Sequence, residues 1–367
     1  MTFPVFARAS ALALLFLITS VSAAEPDGPY VLRGADGWQA VSVAVQGGTA
    51  SKVARPIKEG ESLAVSAVGA IPSFNVKLRG PATDSADTVT TAAKAPLFVV
   101  ADTHGEYEIL ISMLRAHKVL GPKLEWKYGR GHLVVLGDVF DRGPNHLEIL
   151  WLLYKLEAEA AKAGGGVHLL IGNHEAMAMR GDLRYLHARY AETAPVLDAT
   201  DYSQLFAAHS LLGQWLRSRP AVLRINDLLC LHAGISRALV DTGLTLKEIN
   251  ATVRGVLREE PGQGAVAELV MGMNGPLWYR GYFPEQTGFL TATAEDVDLT
   301  LKTFDARRIL IGHTIVSTVT PMFDGKVIAV QVYPKRDESG KAVFESLLIR
   351  DGKPFQARLD GTLHPLR

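Results

Sequence analysis

An α/β core of strands buried on both faces, preceded by a small all-β module, is the fold this sequence predicts. Three observations carry it. From Leu97 onward, apolar runs of strand length repeatedly end in a polar residue: Leu97 to Val100 runs into Asp102 and His104, Leu133 to Leu136 into Asp138, and Leu169 to Ile171 into Asn173 and His174. Leu228 to Leu231 then runs into His232, and Ile309 to Ile311 into His313. Between the first of these runs, Tyr107, Leu110, Ile111 and Leu114 recur at helical spacing, as do Leu147, Leu150, Tyr154 and Ala158. Ahead of them, Val41, Val43 and Val45, then Leu63, Val65 and Ala67, alternate at period two between Gly-Gly and Pro turns. Uninterrupted apolar strands imply sheets covered on both faces, and strands alternating with helices imply an α/β core.

Taken in order, residues 1–24 hold one charge, Arg8, then an apolar run from Ala11 to Ile18 and the small residues Ser20, Ser22, Ala23 and Ala24. That is the pattern of a secretory signal peptide, with an expected periplasmic or secreted location and no membrane association after cleavage. Residues 25–80 form the small β module, and residues 81–95, rich in Ala, Thr and Asp, are expected to be a linker. Residues 96–367 form the α/β domain, whose tail from Lys326 to Leu359 returns to strands with turns at Ser339-Gly340 and Asp351-Gly352.

Composition excludes several classes of function. Lys plus Arg and Asp plus Glu both number 38 in 367 residues, so no positive field draws in a polyanion and nucleic acid is not expected as a partner. One cysteine, Cys230, permits neither a disulfide framework nor a thiolate-bound metal cluster. A metal site here must be built from His, Asp, Glu or Asn.

The strand ends supply such a set. Asp102 and His104 are two residues apart, so in extended chain they share a side and can grip one ion. Asp138 carries two oxygens and can bridge to a second ion, for which Asn173, His232 and His313 offer an amide oxygen and two imidazoles. Oxygen and nitrogen donors without thiolate suit Mn, Fe or Zn rather than calcium. Two such ions about 3.5–4 Å apart activate water and hold both oxygens of a phosphoryl displacement, so phosphoester hydrolysis is the implied chemistry. His117, His132, His146, His168, His187, His209 and His364 fit no ligand pattern and are expected to be structural or on the surface.

At these residues the sequence resembles the calcineurin-like metallophosphoesterases of the PPP-type phosphatase branch. The motifs are Asp102-Thr103-His104-Gly105, Gly137-Asp138-Val139-Phe140-Asp141-Arg142-Gly143, Gly172-Asn173-His174-Glu175, His232-Ala233-Gly234 and Gly312-His313-Thr314. The wording of Gly181 to Tyr185, His232 to Ser236 and Pro276 to Gly281 is similar to the Shewanella-like bacterial and plant phosphatases, some of which prefer phosphotyrosine. The resemblance implies a four-layer α/β/β/α sandwich with a dinuclear site between its sheets. It places Asp102, His104 and Asp138 on one ion and Asp138, Asn173, His232 and His313 on the other. It makes His174 the general acid, Asp141 its orienting partner and Arg142 a phosphate clamp, with Asn173 also facing the phosphate. The family's second phosphate-binding arginine has no counterpart by motif; Arg280 is the candidate, Arg184 the lesser one, and aromatics Trp278, Tyr279, Tyr282 and Phe283 surround Arg280.

The expected function is therefore an exported phosphomonoesterase with two divalent ions, acting on phosphorylated protein, phosphotyrosine included, or on small phosphoesters. The alternatives are a dinucleoside polyphosphate hydrolase of the same superfamily and a non-catalytic metal-binding periplasmic module. Retention of His174, Asp141 and Arg142, which bind no metal in the family scheme, argues against the last.

Overall fold

The computed structural model describes residues 25–262, 264–284 and 286–366; the expected signal peptide, residues 1–24, lies outside them. Strands β1 (Asp27–Gly34), β2 (Gly37–Gln46) and β3 (Thr49–Pro56) form an antiparallel sheet, and β4 (Ser62–Val65) pairs antiparallel with β5 (Phe74–Lys77). Alternation at period two sorts the second pair: Leu63, Val65, Phe74 and Val76 are buried while Ser62, Ala64, Asn75 and Lys77 face outward.

The chain continues through β6 (Thr88–Val89), β7 (Leu97–Val100), α1 (Tyr107–Ala116), β8 (His132–Val135), α2 (His146–Lys162), β9 (Gly166–Leu169) and α3 (Asn173–Met179). Short helices α4 (Thr193–Val196) and α5 (Leu211–Arg217) lead to β10 (Val222–Ile225) and β11 (Leu228–Leu231). Helices α6 (Arg237–Val240), α7 (Leu246–Leu257), α8 (Ala265–Met271) and α9 (Ala294–Thr303) follow. The remainder is β12 (Arg308–Ile311), β13 (Thr320–Met322), β14 (Val327–Ala329), β15 (Lys335–Arg336), β16 (Ala342–Val343), β17 (Glu345–Arg350), β18 (Lys353–Arg358) and β19 (Leu363–Pro365).

Two six-stranded mixed sheets result, in the orders β19-β18-β17-β7-β8-β9 and β13-β14-β12-β11-β10-β6. They face one another. Leu97 and Val99 of β7 share a core with Leu223, Leu310 and Ile328 of the other sheet, whereas Phe98 and Val100 turn to the helix side with Ile111 and Leu150. Each sheet is thus covered by the other sheet and by helices, the expected four-layer sandwich. This is why every residue of β7, β8 and β11 is buried and why their sequences show no alternation.

The stretch expected to be a linker, residues 81–95, is built into this sandwich. β6 pairs in parallel with β10, Thr88 opposite Arg224 and Val89 opposite Ile225, as an edge strand of the second sheet. Asp87 accepts hydrogen bonds from Asn250 (2.8 Å) and Arg254 (3.1 Å) of α7. An edge strand tied by polar contacts needs few apolar residues, so composition alone reads as a tether.

Helix α2 shows how the module docks. Residues 146–154 are buried without a polar stripe, because the module covers the face that the sheet leaves open. Trp151, fully buried, donates from Nε1 to the Pro29 carbonyl of β1 at 2.8 Å. Trp151→Ala is expected to cost about 3–5 kcal/mol of stability by opening a cavity at this junction. Urea unfolding of the two proteins measures this; a loss below about 1 kcal/mol would mean that the module contributes little to the fold.

Candidate active site

The ligand-type residues sit on the loops that leave β7, β8 and β12, at the start of α3 and directly after β11. Their backbones are unusual. His104 (φ 41°), Asp138 (53°), Asp141 (69°), Arg142 (64°) and His313 (62°) all occupy the left-handed region, at a cost of about 1–2 kcal/mol for each residue carrying a Cβ. Hydrogen bonds hold them there. His104 N–H donates to the Asp138 carbonyl (2.9 Å), Gly105 N–H to Val139 (3.0 Å) and Gly143 N–H to His104 (2.9 Å). A Cβ on Gly105 would lie 2.6 Å from the Gly143 oxygen, so the two loops approach only because that position is glycine. The fully buried Glu175 carboxylate accepts from the backbone N–H groups of Asp138 (2.8 Å), Val139 (2.7 Å), Phe140 (3.2 Å) and Gly172 (2.8 Å).

These loops bring the donors together. Nε2 of His232 lies 2.9 Å from Asn173 Oδ1, 3.1 Å from His313 Nδ1 and 3.2 Å from Asp138 Oδ2. Asp138 Oδ2 is also 3.9 Å from His104 Nε2 and 3.8 Å from His174 Nε2. Two overlapping groups can each hold an ion, His104 with Asp138 and His174, and Asp138 with His232 and His313. Asp138 belongs to both. Asp102, expected beside His104, lies with its carboxylate on the His313 N–H (3.1 and 3.2 Å) and 3.9 Å from His232 Nδ1.

The set fits divalent cations. Nδ1 of His104 meets the Phe140 carbonyl at 2.9 Å and Nδ1 of His232 meets that of Leu136 at 2.8 Å, which places an N–H on Nδ1 and turns each Nε2 toward Asp138. His313 Nε2 is buried with no partner. Among the described residues, neither Asp102 nor Asp138 pairs with Lys or Arg, although both are buried. Lone pairs packed this closely repel unless positive charge sits among them. Burial and mutual charge also shift the proton affinities of these groups. Burial, with the Asp138 charge nearby, pushes the Asp102 carboxyl up to about 7. His232, which burial alone would lower, is pushed up to about 9 by Asp138 and Asp102. Burial pulls His104 down to about 4 and His313 well below the ordinary imidazole range.

His174 differs from its neighbours. Its Nδ1 is 2.6 Å from Asp141 Oδ2, and although burial opposes the charged form, Asp138 and this hydrogen bond raise the imidazole above its ordinary value. It lines a cavity of about 280 Å³ together with Asp102, His104, Asp138 and Asn173.

Arg142 and Arg280 both reach that cavity. The Arg142 guanidinium lies between the rings of Tyr185 (5.9 Å) and Tyr333 (5.7 Å). Arg280 donates to Thr314 Oγ1 (3.0 Å) and the His313 carbonyl (3.3 Å). Arg184 does not join them; it is exposed and held by Asp182 at 2.6 Å. Of the aromatics around Arg280, only Trp278 lines the cavity, its ring edge-on to His313 at 5.9 Å. Tyr279 and Tyr282 are buried against each other (5.7 Å), and Phe283 packs on the core.

Sequence reasoning missed Tyr185, Ile315, Gln331 and Tyr333. Gln331 follows the apolar run Val327 to Val330, the pattern that marked the other strand ends. It is 1% exposed, lines the cavity, and neither end of its amide has a partner. A larger cavity of about 720 Å³ lies between the module and α2 and α5, and contains none of these residues.

Comparison with known proteins agrees with this geometry. Residues 95–317 match the family model for calcineurin-like phosphoesterases. Shewanella-like protein phosphatase 1 of Plasmodium berghei is 26% identical over 221 residues, spanning 59% of this chain and 60% of the relative. Shewanella-like protein phosphatase 2 of Arabidopsis thaliana is 24% identical over 279 residues, spanning 64% and 70%. The crystal structure of a cold-active protein-tyrosine phosphatase from a psychrophilic Shewanella species superposes with a TM-score of 0.81 at 33% identity, covering 94% of this chain and all of that one (100%). The chain belongs to the calcineurin-like phosphoesterases, on the branch of the Shewanella-like protein phosphatases, and is accordingly a hydrolase of phosphoesters.

Because Asp138 is shared by both groups of donors, Asp138→Asn is expected to weaken divalent-ion binding at both. Titration of metal-stripped protein with Mn while following ion stoichiometry decides this. Retention of full stoichiometry and affinity would show that Asp138 is not shared.

Proposed function

We propose that this chain is an exported, two-metal phosphomonoesterase acting on phosphorylated protein, with phosphotyrosine preferred. The observation that carries the reading is that the buried ligand cluster, the His174–Asp141 pair and the Arg142 guanidinium open onto one cavity. In this reading Asp102, His104 and Asp138 hold one divalent ion and Asp138, Asn173, His232 and His313 the other, with Mn, Fe or Zn suited to the donors. When bound, the ions supply Lewis acidity toward phosphoryl oxygens and a water acidified enough to attack near neutral pH.

The remaining work belongs to side chains. Arg142, near the rings of two tyrosines, offers its planar fork to phosphate oxygens, and Arg280 adds a second cation to the same cavity. Asn173 presents its amide to the same space. His174, whose proton affinity Asp138 and the bond to Asp141 both raise, gives the Nε2 proton to the departing oxygen and regains it from water afterwards. Preference for phosphotyrosine rests on the mouth of the cavity. Tyr185 and Ile315 line it and are 46% and 58% exposed, and with Trp278 they offer apolar surface to a phenyl ring. A serine phosphate has no ring to set there. Export rests on the residue pattern of positions 1–24.

The test is to assay mature protein, loaded with Mn, Fe or Zn in turn, on phosphotyrosine peptide, phosphoserine peptide and a dinucleoside polyphosphate in parallel. The highest kcat/KM is expected on phosphotyrosine; a higher value on the dinucleotide would overturn the protein phosphatase reading. His174→Asn should keep its metal and lose rate steeply on poor leaving groups but little on nitrophenolate, which needs no proton. Equal losses across a leaving-group series would contradict the general-acid role.

A further inference from the structure

The loop that carries Arg142 is held by a segment that β1 in turn holds. Arg142 and Asp141 are consecutive left-handed residues, a conformation that persists only where the surroundings over-determine it. The surroundings come from residues 185–206, a stretch of short turns. Arg189 Nη1 (2.9 Å) and Tyr190 Oη (2.6 Å) both donate to the Pro144 carbonyl, two residues beyond Arg142. Arg142 N–H donates to the Tyr185 carbonyl at 2.9 Å. The Phe140 ring is fixed between His146 (4.7 Å) and Phe206 (4.8 Å).

That stretch is in turn fixed by β1. Asp27 Oδ2 accepts from Tyr30 Oη (2.6 Å) and Thr193 Oγ1 (2.7 Å), and Asp27 Oδ1 lies 3.6 Å from Arg189 Nη2. Arg189 also donates to the Pro26 carbonyl at 3.1 Å. Tyr30 Oη meets Tyr202 Oη at 2.8 Å, and Tyr202 Oη meets His146 Nε2 at 2.8 Å. Asp27, Tyr30, Tyr202 and His146 are all buried. Simple docking does not account for this. The module already buries Trp151 and its own apolar residues, whereas a buried carboxylate is costly unless its bonds are needed. Burial first, then the surrounding charges, keeps the Tyr30, Tyr190 and Tyr202 hydroxyls protonated, as a hydrogen-bond relay requires.

We propose that strand β1 is a positioning element of the phosphate site: Asp27 and Tyr30, acting through Arg189 and Tyr202, set the loop that aims Arg142. The inference rests on the reading of Arg142 as a phosphate clamp. Asp27 and Tyr30 touch no substrate, and their effect passes entirely through that loop.

A double-mutant cycle tests it, with inhibition by inorganic phosphate as readout beside kcat, KM, bound metal and the unfolding temperature. Asp27→Asn is expected to keep its metal, raise KM and weaken phosphate inhibition by about fivefold to tenfold. In the Arg142→Ala background the same substitution should leave phosphate inhibition unchanged. An equal loss in both backgrounds would overturn the inference, since a general loosening of the fold is additive. So would an unaltered inhibition constant in Asp27→Asn while Arg142→Ala weakens it, an outcome that leaves the clamp reading intact. If Arg142→Ala itself binds phosphate as before, the clamp reading and the inference fall together. Should Asp27→Asn fail to fold, Tyr30→Phe, which removes one oxygen from a ring that stays packed, enters the same cycle.

Discussion

A single buried carboxylate organises the catalytic end of this molecule. Glu175, in the first turn of α3, gathers four backbone N–H groups from the Asp138 loop and from Gly172, and so ties the ends of β8 and β9 together. Charge-assisted hydrogen bonds of this kind are about twice as strong as neutral ones. They hold Asp138 in a backbone conformation it would otherwise avoid, and with it the oxygen that faces His104, His174 and His232. The same carboxylate adds negative charge to a region that already buries Asp102 and Asp138. Burial and Asp138 raise its own proton affinity, and it in turn helps to raise that of His232. The fold therefore builds a site that demands cations before any substrate arrives.

This constraint explains the division of labour among the histidines. His104 and His232 turn Nδ1 to backbone carbonyls and Nε2 toward Asp138, whereas His174 turns Nδ1 to the Asp141 carboxylate. The partner of Nδ1 differs accordingly: a neutral carbonyl beside His104 and His232, and beside His174 a carboxylate, which favours the imidazolium.

Much of this was legible in the chain because an apolar strand that ends abruptly in Asp, Asn or His has a physical reason to do so: buried strands deliver their next residue to the sheet's carboxyl edge. The same rule would have found Gln331 after Val327 to Val330, had the tail not been read only as strands. Arg280 lines the cavity, but its neighbours divide: Trp278 lines it too, and Tyr279 and Tyr282 go to the core. Neighbouring residues of a loop point in different directions, and no periodicity assigns them. Tyr185 and Tyr333 lie far from Arg142 in sequence and flank it only because separate loops converge.

By itself the sequence determined the strands, their burial on both faces and the identity of the ligand-type residues, since each depends on local pattern and on chemistry a side chain carries wherever it sits. Tertiary structure alone decided how those residues are used. It seated Asp102 on the His313 N–H and drew residues 81–95 into a sheet edge. It also ran a buried path from Asp27 to the Arg142 loop, between positions more than a hundred residues apart. Hydrogen bonds between distant loops leave no periodic trace, because their partners are chosen by proximity in space, and that proximity exists only once the two sheets have packed.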